Sequence, residues 1–159
     1  MNGLAEFLRE HKRVAIDTNI FVYLIQASEP YGGLARTLFA WVKQPGNSAV
    51  ASTIVVTELL VPLYKEALTG LSRLQQASGE KERPEVLIML ERYPNLEWIP
   101  ADLAVADRAA RFRARYGLKT PDALHAATAV HAGATGFVTN DASFNRVDEF
   151  RTLQFDTLL

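Results

Sequence analysis

"TPDALHAATAVHAGATGFVTND", Thr120 to Asp141, holds a helix, a turn and a strand in one short run. Thr120 offers its hydroxyl as N-cap, Pro121 suits the first helical turn, and the alanine-rich stretch favours helix until Gly133 stops it. "GFVT" is then apolar and strand-prone, and it leads into a carboxylate, Asp141. A second stretch has the same ending: "RVAID" (13–17) reads as a buried strand that delivers Asp17, and "NIFVYL" begins the next helix. An unpaired carboxylate in a core costs several kcal/mol, so an acid at such a position marks either the open end of a strand or a bound cation.

Working outward, short apolar runs alternate with longer helical ones. "YGGLARTLFAWVK" (31–43) places Leu34, Leu38, Trp41 and Val42 on one helical face, and "QPGN" breaks it before "SAVAS" (48–52), a second strand. Ser52 or Thr53 caps the helix of "STIVVTELLVPLYKEALTGL", and Pro62 predicts its division into two pieces near Val61. "EVLIMLERY" (85–93) reads as helix and "LEWIP" (96–100) as strand. Asp102 caps "LAVADRAARFRARY", which Gly117 terminates. "LQFDTL" (153–158) is the expected edge strand. This alternation predicts an α/β layer fold on a central, mostly parallel sheet of four to five strands. The segment 72–85 is the most polar of the chain and reads as a loop or helical-hairpin extension, not as a domain boundary. The 159 residues are therefore expected to form one domain, with residues 1–12 as an amphipathic helical extension.

Composition narrows the chemistry. With no cysteine, disulfides, thiolate metal sites and a cysteine nucleophile are excluded, and a cytoplasmic protein is expected. No apolar run reaches the roughly 18–20 residues of a membrane span, and the acids in the first thirteen residues do not suit a signal peptide. Seventeen basic against eighteen acidic residues leave a net charge of -1, so nucleic-acid binding would need local basic patches or bound metal. No GxGxxG, Walker A or GxSxG sequence is present.

In a parallel sheet, the strands' carboxyl ends share one edge where ligands bind. Asp17 and Asp141 lie there by position, Asp122 falls in the first turn of a helix, and Glu58 follows the second strand by one to two turns. Four acids converging on that edge would raise one another's pKa, and Mg²⁺ or Mn²⁺ would offset the repulsion with hard oxygen ligands. Such a site serves phosphoryl chemistry. Each acid taken alone reads more simply as a turn, cap or surface residue, and spacing leaves the two readings level. His125, one turn beyond Asp122, reads as an ordinary helix contact and His131 as surface. Arg108, Arg111 and Arg115 form a solvated helix face or a patch for RNA or an acidic partner.

"IDTNIFVYL", "STIVVTELL", "TPDALHAATAVHAGATGFVTND" and Phe144 resemble, in order and spacing, the PIN-domain ribonucleases, most closely the toxin half of VapBC-type toxin–antitoxin pairs. The resemblance spans Val14 to about Phe144. It implies a three-layer α/β/α fold and a metal-dependent endoribonuclease that is dimeric and restrained by an antitoxin. Asp17, Glu58, Asp122 and Asp141 match the four acids. Asp17, Asp122 and Asp141 would be the ligands of Mg²⁺ or Mn²⁺, Glu58 would position the attacking water, and Asn19 and Thr139 match auxiliary polar positions.

Two other enzyme classes fit poorly. A haloacid-dehalogenase-type phosphatase needs a second acid two positions after the first, where Asn19 stands, and a receiver domain needs an acidic pair that is not visible. A PIN-like scaffold that only binds RNA or a partner, or a housekeeping nuclease, is the alternative reading.

Overall fold

The structure, a computed structural model, describes residues 2–70 and 84–159. Of the polar segment 72–85, residues 72–83 lie outside the described residues. Five strands, β1 (Arg13–Ile16), β2 (Ser48–Ser52), β3 (Leu96–Ile99), β4 (Gly136–Thr139) and β5 (Arg151–Gln154), form one sheet in the order β3-β2-β1-β4-β5. Every pairing is parallel, so the expected mostly parallel sheet is parallel throughout. The helices are α1 (Asn2–Glu10), α2 (Thr18–Gln26), α3 (Tyr31–Val42), α4 (Ile54–Gly70), α5 (Glu85–Glu91), α6 (Leu103–Tyr116) and α7 (Thr120–His131). None among the described residues is long and apolar enough to cross a membrane.

The period-2 alternation of each strand divides the core between two layers. Val14 and Ile16 of β1, Ala49 and Ala51 of β2 and Val138 of β4 pack with Ile20, Phe21, Leu38, Phe39 and Val55 of α2 to α4. Ala15, Val50 and Phe137 face the other way, against Val105 and Phe112 of α6 and the alanines of α7. Small residues on α7 let that helix lie close to the sheet, and Ala123, Ala126, Ala127 and Ala129 are all fully buried. The result is the three-layer α/β/α arrangement. Leu4, Phe7 and Leu8 bring α1 into the first layer as well. A Cβ on Gly136 would stand 2.7 Å from the Phe7 ring, so glycine at the start of β4 is what admits α1.

Three boundaries differ from the sequence expectation. α4 runs from Ile54 to Gly70 with Pro62 inside it, rather than as two pieces. Pro62 removes only the bond to the Glu58 carbonyl, and buried Val55, Leu59 and Leu60 keep the preceding turns seated on the core. Lys119, not Thr120, is the N-cap of α7, so Asp122 is its third residue. β5 covers Arg151–Gln154 and ends before the predicted stretch 153–158 is complete, because its partner β4 runs out at the Thr139–Gln154 pairing. Phe155–Leu158 then turns as a 3₁₀ helix, and the Asp156 N–H bonds Asn140 Oδ1 at 2.8 Å. The two caps read from sequence for α6 hold. Asp102 accepts the Val105 N–H at 2.9 Å, and Gly117 ends α6 with φ 67°.

Chain order moves from β1 outward to β2 and β3, then returns across β1 to β4 and β5. The crevice of such a sheet opens beyond the carboxyl ends of β1 and β4, where the order reverses.

Candidate active site

Asp17 is the joint between β1 and α2. Its backbone N–H donates to Val138 O at 3.0 Å, extending the β1–β4 ladder by one rung, and its side chain caps α2 by accepting the Thr18 N–H at 2.8 Å. The residue is only 6% exposed. Oδ2 accepts the Thr139 hydroxyl at 2.6 Å and the Asn19 amide N–H at 2.9 Å. Burial pushes the Asp17 carboxyl above the usual carboxylate range, while nearby His125 and the hydrogen bonds pull the other way.

Thr139 lies fully buried beneath the crevice and ties its two sides together. Besides donating to Asp17, its oxygen accepts the Asp141 N–H at 3.0 Å and an Asn19 N–H at 3.3 Å. Asp141 then caps the 3₁₀ turn Ala142–Arg146, accepting the Ser143 N–H at 2.7 Å. One hydroxyl thus uses its donor and both lone pairs to set the exits of β1 and β4. The Asn19 amide is oriented by the same network: turned over, its oxygen would face the Asp17 carboxylate. In the observed orientation Asn19 Oδ1 is buried with no hydrogen-bond partner.

Glu58, one turn into α4, reaches the crevice from the β2 side. Its Oε2 accepts the Thr18 hydroxyl and meets His125 Nε2 at 3.0 Å. The His125 hydrogen bond holds the Glu58 carboxyl below the usual range, against a partial burial that would raise it. Asp122 is half-buried in the first turn of α7. Desolvation first, then the nearby charges of Asp141 and Asp17, push its carboxyl up.

Asp17, Glu58, Asp122 and Asp141 therefore line one recess, together with Asn19 and His125. Thr18 and His125 are the members that sequence reasoning did not single out for the site. The spacing of His125, one turn after Asp122 on a helix, was its only signal, and the Thr18 contact joins residues far apart in the chain. The arginines are elsewhere. Arg108, Arg111 and Arg115 line a different concavity, beside Phe112, His131 and Glu149. Each also stands beside an acid: Arg111 at 3.0 Å from Asp107, Arg115 at 2.8 Å from Asp148 and Arg108 at 3.9 Å from Glu149.

The donors suit a hard divalent cation in kind, since the acids offer oxygen and Asn19 adds an orphaned buried oxygen. Burial first, and then the charges of Asp141 and Asp17, raise the Asp122 carboxyl, and a cation would relieve the like-charge part of that cost. In distance, no group of three or more His, Asp or Glu side chains among the described residues is arranged to hold an ion.

Fold and recess define a parallel α/β domain whose crevice is acidic and lacks a glycine-rich phosphate loop. The chain belongs to the PIN domain family, which matches residues 14–150, and PIN domains are nucleases. No curated protein matches the sequence. Among solved structures it is similar to VapBC2 from Rickettsia felis bound to a promoter DNA fragment, at 21% identity and a TM-score of 0.59, covering 89% of this chain and 98% of that one. It is similar too to a toxin–antitoxin complex from Klebsiella pneumoniae, at 22% identity, TM-score 0.61 and 89% and 96% coverage. A third, VapBC-5 from Mycobacterium tuberculosis, has 17% identity, TM-score 0.51 and 90% and 98% coverage. At these identities the likeness is one of fold.

Proposed function

We propose that this chain is a Mg²⁺- or Mn²⁺-dependent endoribonuclease and the toxin of a VapBC-type pair, acting in the cytoplasm as a single-domain protomer of a homodimer and restrained by a cognate antitoxin. One observation carries the reading: in a chain of the PIN domain family, Asp17, Glu58, Asp122 and Asp141 line the crevice at the strand ends. The solved toxin–antitoxin complexes of the same fold support the partner.

Asp17, Asp122 and Asp141, which line the same recess, would hold the cation. When bound, the cation supplies charge neutralisation at the scissile phosphate and acidifies water. The chain's own work is positional. Thr139 and Asn19 keep Asp17 aimed into the recess. Glu58, held ionised, orients the water that attacks phosphorus as the P–O3′ bond breaks, leaving a 3′-hydroxyl and a 5′-phosphate.

Purified protein is expected to cleave RNA with Mn²⁺ or Mg²⁺ and not with EDTA, and Asp17→Asn to abolish cleavage while remaining folded. An Asp17→Asn protein that cuts as wild type does would end the metal-site reading. Expression alone is expected to arrest growth, and co-expression of the small neighbouring reading frame to relieve it. A scaffold that binds RNA or a partner without cutting is the second reading, favoured by the absence of a preformed three-residue ion site among the described residues. Calorimetric titration with Mn²⁺ separates the two, since a scaffold takes up no metal at the acids.

A further inference from the structure

We propose that His125 is a positioning residue that, with Thr18, clamps one oxygen of Glu58 and leaves the other free for the attacking water. The inference rests on the nuclease reading of the crevice for its purpose, and on geometry alone for the clamp.

His125 is 4% exposed on α7, where fully buried Ala123, Ala126 and Ala129 fix the helix against the sheet. Its Nε2 points at three groups from two other elements: Glu58 Oε2 at 3.0 Å, Thr18 Oγ1 at 3.4 Å and Asp17 Oδ1 at 4.0 Å. Its Nδ1 is buried with no partner. That asymmetry decides the tautomer. A proton on Nδ1 would leave a buried N–H unsatisfied and set the Nε2 lone pair against a carboxylate oxygen. A proton on Nε2 satisfies Glu58 and leaves only a lone pair unpaired. Nε2–H is therefore the donor, and the Thr18 hydroxyl donates to the same oxygen.

Both donors meet Oε2, whereas Oε1 takes no hydrogen bond among the described residues. A glutamate one turn into a helix has three side-chain torsions to lose. Two donors, from α2 and α7, hold it in one of those arrangements with Oε1 as the available acceptor. Asp17 and Asp122 line the same recess, so the free oxygen is offered where a phosphodiester would meet the acids.

Two substitutions and one spectrum test this. His125→Leu fills the space without a donor, and His125→Gln returns an N–H at similar reach. His125→Leu is expected to lower kcat for RNA cleavage about tenfold to a hundredfold, the size expected of one hydrogen bond to a charged group, with KM changing less than about twofold. His125→Gln is expected to recover most of kcat. Equal losses in both variants would mean that the imidazole only fills space, and would overturn the proposal. In metal-free protein carrying ¹⁵N-histidine, long-range ¹H–¹⁵N correlation is expected to show the Nε2–H form, with the His125 signals moving in Glu58→Ala. A proton on Nδ1, or signals indifferent to Glu58→Ala, would overturn the clamp even where neither variant folds. Wild-type protein that cuts no RNA would instead end the nuclease reading, while the spectrum would still decide the clamp.

Discussion

Replacing Thr139 with valine exchanges a hydroxyl for a methyl at a fully buried position, so the shape is kept while three hydrogen bonds go. Their weights differ. Asn19 still has Asp17 as acceptor at 2.9 Å, and the Asp141 N–H belongs to an exposed residue that water can serve. The 2.6 Å bond to the Asp17 carboxylate is the one without a substitute, because Asp17 is 6% exposed. A bond to a buried charged group is worth about 1.5–3 kcal/mol, so Thr139→Val is expected to lose about 2–3 kcal/mol. For a chain of this length that lowers Tm by roughly 4–12 °C. The sign with pH follows from the same bond. It favours ionised Asp17, so the deficit is full where Asp17 is charged and shrinks as pH falls through its pKa. Calorimetry in EDTA across that range is the assay, with Thr139→Ser as the control that keeps the hydroxyl. A Thr139→Val protein melting within about 1 °C of wild type at neutral pH, or a deficit that grows as pH falls, would refute the assignment of Thr139 as the support of Asp17.

Asp17 itself has a folded pKa raised above its unfolded value, so in chelator its contribution is most favourable below the unfolded pKa and declines as pH rises through the folded one. Asp17→Asn is expected to flatten that decline and to melt above wild type at neutral pH in EDTA; parallel stability curves for the two proteins would count against a buried charge here. Mn²⁺ at a hundredfold excess over Kd is expected to stabilise wild type by about 2.7 kcal/mol, read as a rise in Tm, and to leave the Asp17→Asn, Asp122→Asn double variant unmoved. Pro62→Ala returns an N–H to the Glu58 carbonyl and is expected to add about 1–3 kcal/mol of stability by chemical denaturation, where a loss would show that the proline shapes α4.

Much of this architecture is written locally. The apolar runs at 13–16, 48–52 and 136–139 are strands because a parallel sheet covered on both faces needs continuous apolar residues, and each alternates between the two layers. Asp102 and Gly117 cap α6 through bonds to residues three and four positions away, which a linear reading can see. The positions of Asp17 and Asp141 after their strands follow once the strands are known to be parallel.

Other features depend on partners distant in the chain. β5 stops at Gln154 because β4 ends opposite it, and nothing in "LQFDTL" encodes the length of residues 136–139. α4 continues through Pro62 because the core grips the residues before it. Arg108, Arg111 and Arg115 share a helical face, as their spacing requires, but each stands beside an acid and all three lie apart from the four acids of the crevice. His125 shows the division most clearly. Helical spacing put it one turn from Asp122, which made contact with the site conceivable and an ordinary packing role simpler. Only the approach of α2 and α4 to α7 brings Glu58 and Thr18 to its Nε2 and leaves its Nδ1 alone. The sequence by itself determined which residues form strands and helices and which acids leave the sheet at its open edge, because those follow from periodicity and capping within a few residues. Which acid is braced, by which donor and on which oxygen, was decided by tertiary structure, because a hydrogen bond across the crevice exists only once three separate helices have packed.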